Sequence, residues 1–149
     1  MNKRGVTLIE LVVVFVIIAI GATLMVPSFG AWLSSYRLRS ATRDVVSTLR
    51  TAQMRALSIK TTYGVGFGVK SCQLYRSSGG LIVEGQLVSL PNGVQFIDNN
   101  FPVNGTLGQP FAQFNPDSTS SGGNVTLQNT KGATRKITVM NATGRTNIN

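Results

Sequence analysis

The chain is predicted to be an α+β protein: one long N-terminal helix packed on an antiparallel β-sheet or β-sandwich domain. Three observations predict it. No charge occurs from Leu11 through Tyr36. An apolar stripe at helical spacing then continues to Ile59. After Lys60 the texture changes to short β-type runs separated by Gly, Asn, Ser and Pro. Helix first and strands afterwards is the order of an α+β plan, in which the helix covers a sheet face.

The uncharged run is roughly 26 residues long, and at about 1.5 Å per residue it makes about 39 Å of helix. The hydrocarbon core of a bilayer needs about 30 Å. The first half of the helix is therefore expected to span a membrane. Lys3 and Arg4 in front of it keep the short N-terminus in the cytoplasm and place the rest outside. Glu10 sits at the front edge of the run, where an acid costs about 2.5–3.5 kcal/mol if it lies deep in the bilayer. An acid kept at that cost points to a function.

Pro27 lacks a backbone donor and is expected to bend the helix. Beyond it, Leu38, Ala41, Val45, Leu49, Ala52, Ala56 and Ile59 recur at spacings of three and four. Arg39, Arg43 and Arg50 fall on the other side, either as a solvated surface or as a binding or subunit-contact face. One helix from about Val6 to Ser58 is expected, greasy all round at first and amphipathic later, with no linker between.

Strands are expected over 61–70, 71–76, 81–84, 86–90 and 94–97, with a turn at Ser77–Gly80 and another at Pro91-Asn92-Gly93. The Asn-, Gly- and Pro-rich stretch 98–110 is expected to be loop. Three further strands are expected over 111–115, 124–128 and 135–140. The run Gly64-Val65-Gly66-Phe67-Gly68-Val69-Lys70 superficially suggests a phosphate loop. It follows a helix, alternates like a strand and has no Ser or Thr at the required spacing, so it is read as a strand whose glycines allow close backbone approach.

Composition restricts the chemistry. There is no histidine, and fourteen Lys and Arg face five Asp and Glu. After Pro27, twelve bases stand against Asp44, Glu84, Asp98 and Asp117, a difference of +8. Such an excess favours polyanionic partners: nucleic acid, anionic lipid or an acidic protein. No acids lie close in sequence, and no base is available to activate Ser or Cys72, so neither an enzyme nor a metal site is expected, and no cofactor. A lone cysteine cannot form an internal disulfide, so packing must hold the domain.

Gly5-Val6-Thr7-Leu8-Ile9-Glu10, behind a short basic leader and before an apolar helix, resembles the leader-peptidase site of type IV pilins and type II secretion pseudopilins. The resemblance implies that a prepilin peptidase cuts between Gly5 and Val6 and methylates the Val6 amine. It also implies that Glu10 guides assembly with other pilins. Val6 departs from the Phe usual at that position. The implied organisation is a cleaved leader over 1–5, a transmembrane and assembly helix over 6–30, and a periplasmic domain over 31–149 that includes the helix to about 59. The chain would sit in the inner membrane until it enters a pilus or pseudopilus.

Ala52-Gln53-Met54-Arg55-Ala56, Phe114-Asn115-Pro116, Arg135–Val139 and Thr143-Gly144-Arg145 further resemble the GspH/FimT branch. That branch implies a low-copy subunit that primes or caps a filament. Its FimT-like members imply an alternative, DNA binding during uptake. Lys131, Arg135, Lys136 and Arg145 are the cations available for it, although Gly144-Arg145-Thr146-Asn147 lacks the second arginine of the FimT-type Gly-Arg-x-Arg signature.

Overall fold

In the computed structural model, residues 7–149 are described, without the side chains of 24–29. The expected cut between Gly5 and Val6 and the methylated Val6 lie outside the described residues. A single helix, α1, covers Leu8–Ile59, and its helical backbone continues across Pro27. Ten strands follow, all in antiparallel pairs: β1 Tyr63–Phe67, β2 Ser71–Ser77, β3 Leu81–Val83, β4 Val88–Ser89 and β5 Val94–Asn99 in the first half. The second half holds β6 Val103–Asn104, β7 Gln109–Phe114, β8 Gly123–Asn129, β9 Thr134–Val139 and β10 Thr146–Ile148. The α+β plan is the one the sequence predicts.

The chain divides into two units, 1–33 and 34–149. In the first, α1 opens on Thr7, whose hydroxyl and carbonyl oxygens accept the Glu10 N–H at 3.4 and 3.1 Å. Thr7 thereby caps a turn whose amides have no partner within the helix. From Leu8 to Ile20 the large apolar side chains point outward on every side; Leu8 is 81% and Ile17 64% exposed. Trp32, the one tryptophan, is 63% exposed at the end of this unit. Among the described residues no helix is long and apolar enough to cross a membrane. The expected span over 6–30 includes side chains outside that set.

In the second unit α1 is amphipathic. Leu38, Ala41, Val45, Leu49, Ala52 and Ala56 are buried as the stripe predicts, and Thr42 and Val46 widen it. Ile59 does not belong to the stripe: it is half-exposed, because Lys60 turns into the left-handed region at φ 56° and ends the helix there. Two sheets supply the other side of the core. One runs β3-β2-β1-β7-β6, with β4 also paired to β2; the other runs β10-β9-β8-β5. Leu49 and Val45 share this core with Tyr63, Val65, Phe114, Leu127 and Ile137.

β1 is buried along its whole length and is not a phosphate loop. A Cβ on Gly64 would stand 2.3 Å from the Phe111 ring, and one on Gly66 2.5 Å from Gln109 Nε2 and 3.0 Å from Tyr75. The Tyr75 and Phe111 rings, 6.1 Å apart, thus cover the strand where it lacks side chains of its own. Expected strand boundaries shorten at 61–70, where only 63–67 is strand. The stretch 98–110 is not all loop, since β6 lies within it and the ends of β5 and β7 reach into it. The strands on either side of Pro91-Asn92-Gly93 pair with different partners, β4 with β2 and β5 with β8.

Candidate functional site

The two flanks of α1 in the second unit differ in charge chemistry. On one, Arg55 Nη1 lies 3.0 Å from Glu84 Oε2, and Arg76 Nε from β2 lies 3.2 Å from Glu84 Oε1. Glu84 follows β3 and is held there by its own N–H, which donates to the Leu74 carbonyl at 2.8 Å. Below this cluster the Tyr63 hydroxyl is fully buried, and burial pushes its phenol above the ordinary range. Cys72 of β2 is buried too, and burial pushes its thiol up to about 11, which makes it an inert packing residue. This flank is closed, with one carboxylate holding two guanidiniums.

The other flank is open and has no carboxylate among its lining residues. Two open clefts lie between it and β9–β10. The first, about 290 Å³, is lined by Arg39, Thr42 and Arg43 of α1 with Arg135 and Ile148. The second, about 410 Å³, is lined by Arg50, Gln53 and Met54 of α1 with Arg145, Thr146 and Asn147. Among the described residues none of these five arginines has an ion pair. The Thr146 hydroxyl is buried and has no hydrogen-bond partner.

The C-terminal turn sets Arg145 in place. Gly144, at φ 62°, adopts a backbone that strains any side chain, and a Cβ there would crowd Gln53 Nε2 at 3.0 Å and Phe114 at 3.3 Å. Gln53 donates to the Thr143 carbonyl at 3.0 Å and fastens the turn to α1. The Gly144 N–H donates back to Met140, and β10 then returns along β9 in register Thr146 with Val139 and Ile148 with Ile137. β10 runs so that its start meets Arg50 and its end meets Arg39 and Arg43.

The four cations singled out in the sequence do not form one cluster. Arg135 and Lys136 are neighbours on β9, and neighbours on a strand point to opposite faces. Arg135 shares the helix-facing side with buried Ile137 and Val139 and enters the first cleft. Lys136 is exposed on the other face, and Lys131 lies in the turn between β8 and β9, where its N–H donates to Asn129 Oδ1 at 3.0 Å. Only Arg135 and Arg145 meet the helix arginines. Arg39, Arg43 and Arg50 in turn lie beside the clefts rather than on the back of the helix. Sequence periodicity missed their joining because β10, three residues long, has no strand-like pattern to announce it.

Glu10 is exposed in the first turn of α1, with apolar neighbours Ile9 and Leu11 also exposed. Among the described residues no group of three or more His, Cys, Asp or Glu could hold a metal ion.

Residues 1–26 match the family described as the prokaryotic N-terminal methylation motif. The fold is similar to that of the minor pseudopilin EpsH from the type 2 secretion system of Vibrio cholerae, at TM-score 0.64 and 10% identity, over 76% of this chain and 96% of that one. It is also similar to the type IV minor pilin FimU of Pseudomonas aeruginosa PAO1, at TM-score 0.57 and 13% identity, over 75% and 92%. A second crystal form of FimU agrees, at TM-score 0.58, 13% identity, and 77% and 90% coverage. No curated protein matches the chain in sequence. In N-terminal motif and in fold alike, the chain is pilin-like.

Proposed function

We propose that the chain is a minor pilin or pseudopilin, a membrane-anchored structural subunit that primes or caps a type IV pilus or a type II secretion pseudopilus. The observation that carries this is the bare apolar half of α1. Large side chains from Leu8 to Ile20 are 45–81% exposed on all sides of a helix. In water that surface is untenable, and it needs either lipid or other helices around it. A subunit that waits in the inner membrane and then leaves it for a filament core needs both in turn. Glu10 suits the second state, since an unpaired carboxylate among apolar helices is costly, and the Val6 amine of a neighbour would pair with it and set axial register.

Intact mass of the protein taken from its native membrane tests the reading. The expected chain begins at Val6 and carries one added methyl group. A chain retaining Met1, or beginning near Trp32, would overturn it. Glu10→Leu should leave membrane insertion unchanged and abolish co-purification with other pilin-like subunits; normal assembly of that variant removes the register role. DNA uptake is the alternative use of the domain's positive charge.

A further inference from the structure

We infer that the arginine seam between α1 and β10 is a docking surface for an acidic, partly apolar face of a different pilin-like chain, and not for a second copy of this one. The inference rests on the assembly reading above and assigns it a partner chemistry.

Three observations carry it. First, the seam is one-signed. Arg39, Arg43 and Arg135 line one cleft and Arg50 and Arg145 the next, with no carboxylate among the lining residues. Three of the domain's four acids are engaged elsewhere, Glu84 with Arg55 and Arg76, Asp98 with Asn124 and Asp117 with Thr119, and the fourth, Asp44, lines neither cleft. A second copy would bring the same excess of +8 against it. Like charges across an interface cost several kcal/mol, so a self-contact is selected against.

Second, every cation of the seam is arginine, although the domain also has Lys60, Lys70, Lys131 and Lys136. Protein interfaces are enriched in Arg and Met and depleted in Lys, because a planar guanidinium loses less in desolvation and grips a carboxylate with two bonds. Third, the arginines alternate with exposed apolar side chains: Met54 is 62% and Ile148 43% exposed, and they lie in the same two clefts. A phosphate backbone offers nothing to those two. No aromatic side chain lines either cleft, so unpaired bases would find no stacking platform. A helix with Glu at four-residue spacing, interrupted by Leu, matches both the charges and the gaps. Arg39 and Arg43 are themselves one helical turn apart, about 6 Å.

The test uses the full chain in detergent micelles with two probes of equal charge: a synthetic helical peptide of Glu at i, i+4 with Leu between, and a mixed-sequence DNA duplex. The peptide should bind more tightly than the duplex. Arg39→Gln with Arg43→Gln should weaken it about tenfold, and Met54→Ser should weaken the peptide severalfold while leaving the duplex unchanged. Tighter duplex binding that ignores Met54→Ser, or no binding of either probe, overturns the proposal. A photo-cross-linker at Met54 in cells supplies the second readout. The expected adduct is a different chain with an N-terminal methylation motif, joined through an Asp- or Glu-bearing segment and lost in the double arginine variant. An adduct with a second copy of this chain overturns the proposal. Glu10→Leu should leave peptide binding unchanged. Failure at the seam with the Glu10 result intact therefore removes the docking surface and leaves the assembly reading standing.

Discussion

The two halves of α1 share a secondary structure and almost nothing else. In the first, Leu8, Ile9, Phe15 and Ile17 are more than 60% exposed; in the second, Val45, Leu49, Ala52 and Ala56 are fully buried. The first half has apolar side chains all round and a single acid, Glu10. In the second, small and branched residues form a stripe against the sheets, flanked by arginines on one side and an ion-pair cluster on the other. Helicity is common to both, so it does not decide what the helix is for. Which surfaces remain uncovered does.

The largest effect separating the halves should come from equal truncations. Leu49→Ala removes a fully buried side chain and should destabilise the domain by about 2–5 kcal/mol, read from denaturant unfolding. Ile17→Ala, at 64% exposure, should change that unfolding free energy by less than about 0.5 kcal/mol. Equal losses at both positions would contradict the difference in burial between them.

A middle effect is expected on the closed flank. Glu84→Gln breaks both ion pairs and leaves Arg55 and Arg76 facing each other. The paired side chains are between 25% and 43% exposed, so solvent screens them, and the loss should be about 1 kcal/mol. Double-mutant cycles of Glu84 with Arg55 should show coupling. The same cycle between Arg43 and Arg135 on the open flank should show none or slight repulsion.

The smallest effect concerns acid. Asp117 Oδ1 accepts the Thr119 hydroxyl at 2.6 Å and the Thr119 N–H at 3.0 Å, and these bonds hold its carboxyl below the usual range. A lowered folded-state pKa contributes stability above the unfolded value of about 4 and loses it as pH falls through the folded one. Asp117→Asn should therefore flatten the acid limb of the stability profile slightly while moving Leu49→Ala and Glu84→Gln not at all. A steeper acid limb in the variant would contradict the sign.

Much of this was legible in the sequence for particular reasons. The stripe from Leu38 to Ala56 is periodic because one face packs, and the glycines of β1 alternate because Tyr75 and Phe111 cover them. The arginine seam was not legible. It needs β10 laid beside α1, and Thr146-Asn147-Ile148 carries no strand-like pattern of its own; Gly144 and Gln53 turn it back. The basic cluster at the C-terminus misled for the converse reason. Arg135 and Lys136 are adjacent in the chain and on opposite faces of the sheet, a division that strand alternation alone could have announced.

Trp32 has a consequence for how this protein can be watched. The chain's one indole stands 63% exposed in the unit that precedes the domain, while the buried aromatic rings are Tyr63, Phe67, Phe101, Phe111 and Phe114. Its fluorescence is a probe of the medium around the helix. Emission should move to the blue when lipid or neighbouring helices replace water there. The molecule thus carries an optical signal for insertion and assembly.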